Sequence, residues 1–250
     1  MKQLILPDDY RGEEIFNLSD SDSHYLINVK RKDIGFQFEL IDNKDNKYIG
    51  KILNIEDNIC TLSLEKRDSI LDENYRIILF QAIPKGKKID LMIRQAVEAG
   101  VYSFYPIKAD HSIPQFNDNN DKDKKGDRWQ KIVKEASQQS GTSHITTLKK
   151  IQSLKEAVSS LEEEFTGIFF HQVPLKNKSL HSILNNCKKN IVLVIGPEGG
   201  LSKKEVEYLT VNGFQPALLG KNILRAETAT IFSIGATKMI IEEKDFWEIK

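Results

Sequence analysis

The chain has 250 residues, 40% of them hydrophobic and 29% charged, and a formal net charge of zero. That length and balance exclude a wholly disordered chain and suffice for one large or two modest domains, with a core that needs no disulfide support. A zero net charge excludes recruitment of nucleic acid by a global field, so any surface for a charged partner must be a local patch.

The charge is unevenly spread. The first 72 residues carry 10 basic and 15 acidic side chains, and the remainder carries 26 and 21. Cys60 and Cys187 lack the spacing of a metal or redox pair, which fits a reducing compartment without disulfides. The N-terminus has only the apolar run Leu4 to Leu6 before Pro7, and no stretch reaches membrane-spanning length. The expectation is a soluble cytoplasmic protein with no signal peptide and no membrane contact.

Residues 1–72 read as short strands. Phe36, Phe38 and Leu40 alternate on one face of 35–42, and two further runs in 47–64 flank a turn at Asp57-Asn58. Short strands separated by Asn, Asp and Gly turns predict a small barrel or curled sheet. The polar stretch 66–75 reads as a linker.

Beyond it the pattern changes. Residues 76–83 form a continuous apolar strand, ended by Pro84 and Gly86. Ile89, Met92, Ile93, Ala96 and Val97 are spaced for a helix over 88–100, with Gly100 at its C-terminal cap. Residues 101–107 are again a strand, and 117–126 read as a charged, Asn-rich loop. Asp127 is placed to cap a helix that stops at Gly141. Ser153 with Glu156, and Ser202 with Glu205, are capping boxes for two more helices. Buried-type strands follow at 167–171 and 190–196, a last strand at 214–220, and a last helix from Glu227. Alternation of strands and helices from about residue 76 predicts an α/β domain with a mostly parallel sheet, whose ligands bind at the carboxyl ends of strands.

Two segments lie at such strand ends. The first is IGPEGGLS, 195–202, where a strand runs into adjacent glycines and then a capped helix. Glycines let backbone groups approach a ligand closely, and the helix start offers unpaired N–H groups. Leu201 stands where a Walker loop needs its second glycine, and G-x-G-x-x-G fails as well. By itself the segment reads equally as a ligand loop or a plain tight turn. The second is LLGKNILRAETA, 218–229, where Asn222-Ile223-Leu224 would be an exposed apolar loop unless covered. Glu227-Thr228 there also suits ordinary helix capping. Two such turns in one α/β domain can enclose one adenosyl-sized ligand.

Together these segments resemble the signature of the ribosomal RNA small subunit methyltransferase E (RsmE) family of the SPOUT superfamily. Two further blocks match in order and spacing. One is 85–107, with Lys85, Lys88, Gln95, Glu98, Gly100 and Val101 in place; the other is 128–141, around Trp129. Residues 24–40 resemble the family's N-terminal PUA-like stretch, so the resemblance covers nearly the whole chain.

The resemblance implies a PUA-like RNA-binding domain over 1–72. It implies a SPOUT methyltransferase domain over 73–250, with a parallel sheet and a C-terminal trefoil knot. It implies S-adenosylmethionine held by His171, Gln172, Ile195, Gly196, Pro197, Glu198, Gly199, Gly200, Leu219, Gly220, Ile223 and Leu224. The implied reaction is methylation of ring nitrogen N3 of a uridine in small-subunit ribosomal RNA, free or in a ribosomal particle, by a homodimer.

No metal is expected, since a sulfonium donor needs only in-line placement. Uridine N3 must lose a proton to become nucleophilic. Arg225 is the candidate to stabilise the anion on the uracil oxygens, and Glu227 the candidate base or the group that orients Arg225. Lys30, Arg31, Lys88 and His111 are the expected RNA contacts.

The chain departs from the family pattern in two places. Asp110-His111-Ser112 stands where a Glu-Arg-Ser-like tripeptide is usual, and Thr142 stands where an arginine usually follows Gly141. Histidine and threonine cannot copy arginine's forked phosphate contact. A changed RNA target, or an RNA-binding module without turnover, are the competing readings. Trp129 and Trp247 read as packing residues.

Overall fold

A computed structural model describes residues 2–67, 74–112, 119–171 and 179–243, with only the backbone described over 119–124. The chain divides into two compact units: residues 1–72 with 137–145, and residues 73–136 with 146–250.

The first unit contains β1 (Gln3–Ile5), β2 (Ile15–Asn17), α1 (Asp20–His24), a π-helical turn at Tyr25–Val29, β3 (Gln37–Ile41), β4 (Lys47–Glu56) and β5 (Ile59–Lys66). The strands form one five-stranded sheet in the order β1-β3-β4-β5-β2. Among the described residues only the β1–β3 pair is parallel. The turn predicted at Asp57-Asn58 joins β4 to β5 with φ of 48° and 62°, the twist that suits a tight hairpin. Leu40 is buried and Phe36 and Phe38 pack against the same core, with Leu4, Leu26, Ile52 and Leu62 at its centre.

The three-residue strands β1 and β2 were not expected from the sequence, being too short to show a period. Segment 137–145 joins this unit through hydrogen bonds from Lys2 N to Gln138 O (2.9 Å) and from Gln3 Nε2 to Ser137 O (3.3 Å) and Thr142 O (3.1 Å).

The second unit holds β6 (Arg76–Ala82), α2 (Lys88–Glu98), β7 (Ser103–Lys108), most of α3 (Asn119–Ser140), β8 (Thr147–Leu148), β9 (Gln152–Ser153), α4 (Leu154–Ser159), β10 (Phe165–Phe170), α5 (Leu180–Leu184), β11 (Asn190–Ile195), α6 (Lys203–Val211), β12 (Gln215–Ala217) and α7 (Ala226–Glu242). Its seven strands run β12-β10-β11-β6-β7-β8, with β9 also on β7, and every pair is parallel. Helix α2 buries the five apolar residues named from its spacing, and Gly100 ends it at φ 75°. Both capping boxes form, at Ser153 with Glu156 and at Ser202 with Glu205. Trp129 is buried and donates through Nε1 to Asp90.

The stretch expected to be a loop over 117–126 is helical from Asn119, so Asp127 lies inside α3 and does not cap it. A segment without apolar residues carries no helical period, yet it extends readily from the amphipathic turns around Trp129 once these are packed. Gly141, φ 71°, ends that helix as expected. Residues 117 and 118 and Trp247 lie outside the described residues. No described helix is long and apolar enough to cross a membrane.

Candidate active site

Three neighbouring parallel strands, β12, β10 and β11, end side by side in the second unit. Strand β11, buried along its whole length, delivers the loop 196–200. That loop closes as a tight turn, with Gly200 N donating to Pro197 O at 2.8 Å and Gly200 at φ 73°. A Cβ on Gly196 would meet Gly200 C and Leu201 N at 3.1 Å, so the turn is packed to the limit a glycine allows. Ser202 then caps α6: Ser202 N donates to Glu205 Oε2 at 2.8 Å, and Glu205 N to Ser202 Oγ at 3.2 Å. After β12 the chain turns at Gly220, φ 145°, and enters α7. Strand β10 leads to His171, whose N–H donates to Ala217 O at 3.3 Å.

These strand ends enclose a cavity of about 500 Å³. His171, Ile195 to Gly200, Leu219, Gly220, Ile223 and Leu224 line it, so these residues, expected to hold a donor, come together in space. Gln172 lies outside the described residues. Phe170, Leu201, Leu218, Lys221, Asn222, Ala226 and Ala229 line it too, beyond the individual donor contacts expected from the sequence. Most of them fall inside the two quoted segments, so a less selective reading of the same motifs would have found them. Ile223 is 78% exposed, so the apolar tip of the second loop stays in solvent.

Arg225 lines the cavity at the N-cap of α7, where its side chain makes no capping bond. Glu227, just inside the first turn of that helix, faces a cation. Lys88 Nζ lies 3.2 Å from Glu227 Oε2 and 3.5 Å from Glu198 Oε1, and Lys85 N donates to both Glu198 carboxylate oxygens at 3.3 and 3.4 Å. Lys88, expected to touch RNA, is thus engaged by two carboxylates and ties the first loop to the start of α7. The Glu227 carboxyl is held below the usual glutamate range. Its own backbone N–H is the largest cause, Lys88 and Arg225 add to it, and together they outweigh burial. A carboxylate so stabilised is a weak proton acceptor.

His111, also expected on RNA, lies on the turn after β7 with Nδ1 3.1 Å from both Gly199 O and Gly200 O. Lys30 and Arg31 belong to the first unit, exposed after the π-helical turn. Lys30 Nζ lies 5.6 Å from the centre of the Tyr25 ring, and Arg31 adopts φ 52°. Sequence order alone gave no sign of the Lys88 bridge or of the His111 contact, because both join residues about ninety or more apart in the chain.

A family model described as an RNA methyltransferase domain matches residues 72–238, and one described as an RNA methyltransferase PUA domain matches 18–65. The chain is 30% identical to ribosomal RNA small subunit methyltransferase E 2 of Borreliella burgdorferi, over 97% of this chain and 99% of that one. It is 26% identical to ribosomal RNA small subunit methyltransferase E of Bacillus subtilis, over 88% of each. Its structure is similar to that of a ribosomal RNA small subunit methyltransferase E from Neisseria gonorrhoeae bound to S-adenosyl methionine. The TM-score there is 0.81 at 26% identity, over 96% of this chain and 98% of the other.

Proposed function

This chain belongs to the ribosomal RNA small subunit methyltransferase E family, and on that premise we propose that it methylates ring nitrogen N3 of a uridine in small-subunit ribosomal RNA. The methyl donor is S-adenosylmethionine. When bound, it supplies an electrophilic methyl group on a sulfonium. The observation that carries the reading is the cavity of about 500 Å³ between the loops at 195–202 and 218–229. Its size suits an adenosyl group, and its lining of backbone turns with Ile195, Leu201, Leu219 and Leu224 offers hydrogen bonds at the edge of an apolar slot.

Chemistry at uridine N3 requires the leaving of a proton and the stabilisation of negative charge on the uracil oxygens. Arg225, at the cavity wall and free of a capping role, is the group we assign to that charge. Glu227 is better suited to holding Lys88, and with it Glu198 and the first loop, than to taking the proton, because its carboxylate is already stabilised. The first unit, with Lys30 and Arg31 exposed, would supply phosphate contacts.

Two properties of the superfamily accompany this reading. The strand order supports a knotted path: β12 lies on the far side of β10 from β11, and the chain returns from it as α7 to pack on β11 and α2. Phe232 and Met239, seven residues apart on one face of α7, are 52% and 51% exposed, an apolar face that suits pairing of two copies. Action on ribosomal RNA would place the protein in the cytoplasm.

The reading is tested by mass mapping of ribosomal nucleosides from a strain lacking the protein. Loss of one 3-methyluridine from the small subunit supports it. Loss of a different modification overturns the choice of N3.

A further inference from the structure

The turn after β7 is a small closed unit: Ser112 N donates to Ala109 O at 2.9 Å, and Ala109 N to Ser112 Oγ at 3.2 Å. Three contacts bind it to the segment that begins α6. Asp110 N donates to Glu205 Oε1 at 2.9 Å, Ser202 Oγ donates to Asp110 Oδ2, and His111 Nδ1 lies 3.1 Å from the carbonyl oxygens of both Gly199 and Gly200.

The last contact fixes chemistry as well as position. Two carbonyl oxygens can only accept, so Nδ1 carries the hydrogen. In the neutral ring that is the Nδ1–H tautomer, and the imidazolium serves equally well. Gly199 makes the approach possible, since a Cβ there would come within 3.0 Å of His111 Cβ. The two carbonyls belong to consecutive residues, and the turn with Gly200 at φ 73° brings them to one donor. Their dipoles repel one another unless a shared hydrogen lies between them, and both residues line the cavity.

We propose that His111 is a positioning residue for the methyl-donor loop. Its Nδ1–H holds the carbonyls of Gly199 and Gly200 together and so sets the loop in the shape that binds S-adenosylmethionine. This gives a histidine, standing where the family usually has arginine, a task on the donor side of the site. The proposal rests on the reading of the cavity as the donor site.

Calorimetric binding of S-adenosylmethionine to the full chain tests it, with His111→Ala, His111→Asn and His111→Gln beside the wild type. Asparagine puts an amide N–H near the place of Nδ1, whereas glutamine reaches toward the place of Nε2. Loss of one such hydrogen bond should raise Kd by about 3- to 10-fold in the alanine variant. Asparagine should restore most of the affinity, and glutamine should not. Nitrogen NMR of the wild-type imidazole at alkaline pH should show Nδ1 protonated and Nε2 bare, a signature that needs no donor. An alanine variant that binds like wild type, or a folded asparagine variant as weak as alanine, overturns the proposal, as does an Nε2–H tautomer. Failure of the wild type to bind would instead strike at the cavity reading on which the proposal rests.

Discussion

Substituting Gly196 by alanine tests whether the tight turn after β11 shapes the donor site. Gly196 is not among the left-handed glycines, so the cost of alanine there is argued from contact. The new Cβ would lie 3.1 Å from Gly200 C and Leu201 N and 3.3 Å from Leu201 Cγ. Two of these three atoms are backbone, in a turn closed by the bond from Gly200 N to Pro197 O, and cannot swing aside as a side-chain tip would. Overpacking of this kind costs about 1–3 kcal/mol. If the turn yields by opening away from the strand end, that cost appears as a rise of about 5- to 150-fold in the Kd for S-adenosylmethionine.

Two other glycines calibrate the effect. Gly200, at φ 73° with nothing within 4 Å of the place a Cβ would take, would suffer only the left-handed backbone cost of about 1 kcal/mol. Gly213, φ 82° and equally open, carries the same cost away from the cavity. Calorimetry should therefore rank Gly196→Ala weakest and Gly200→Ala intermediate. Gly213→Ala should bind like wild type while melting a few degrees lower. Wild-type affinity in Gly196→Ala, or an equal loss in Gly213→Ala, would show that the turn does not shape the cavity.

Lys88→Met removes the cation between Glu198 and Glu227. With Lys88 38% exposed, screening limits each pair to about 0.2–1 kcal/mol, so donor affinity should fall about two- to fivefold at low salt and less at high salt, measured by calorimetry. Arg225→Ala should lower the single-turnover methylation rate by about 10²-fold or more at saturating RNA and donor, and full activity would remove Arg225 from the mechanism. In the first unit, Asp42 accepts from Lys44 N, Asn46 N, Asn46 Nδ2 and Tyr48 Oη, all within 3.1 Å. Burial pushes its carboxyl up, but these bonds more than reverse the push and hold it below the usual aspartate range. Its stabilisation is therefore complete above the unfolded value and fades as pH falls through the lower folded one. Asp42→Ala should cost about 2–4 kcal/mol in denaturant unfolding at neutral pH, with a shallower loss on acidification than the wild type shows.

The cavity assigned to the donor was legible in the sequence because its parts are local. An apolar run, a glycine turn and a capped helix are each written within a dozen residues, and Ile195 to Gly200 and Leu219 to Leu224 needed only the fold to bring them together. The parallel sheet was legible for the same reason, through the continuous apolar runs at β6, β10 and β11. What escaped depends on distance or on weak pattern. β8 and β9 are two residues each, too short for any period. The start of α3 has a polar sequence that says nothing of helix. Lys88 and His111 look like open RNA contacts in the bare sequence, and only the fold reveals that carboxylates and carbonyls already claim them. The segment 137–145 is far in sequence from the strands with which it clusters.

Methyl transfer to uridine N3 can be followed in a single experiment. The purified protein is mixed with S-adenosylmethionine labelled in the methyl group and with unmethylated small-subunit ribosomal RNA or particles, and the RNA is digested to nucleosides. The label should elute with 3-methyluridine, and Gly196→Ala and Arg225→Ala should both reduce it. Label in another nucleoside, or none from a protein that binds the donor, would contradict it.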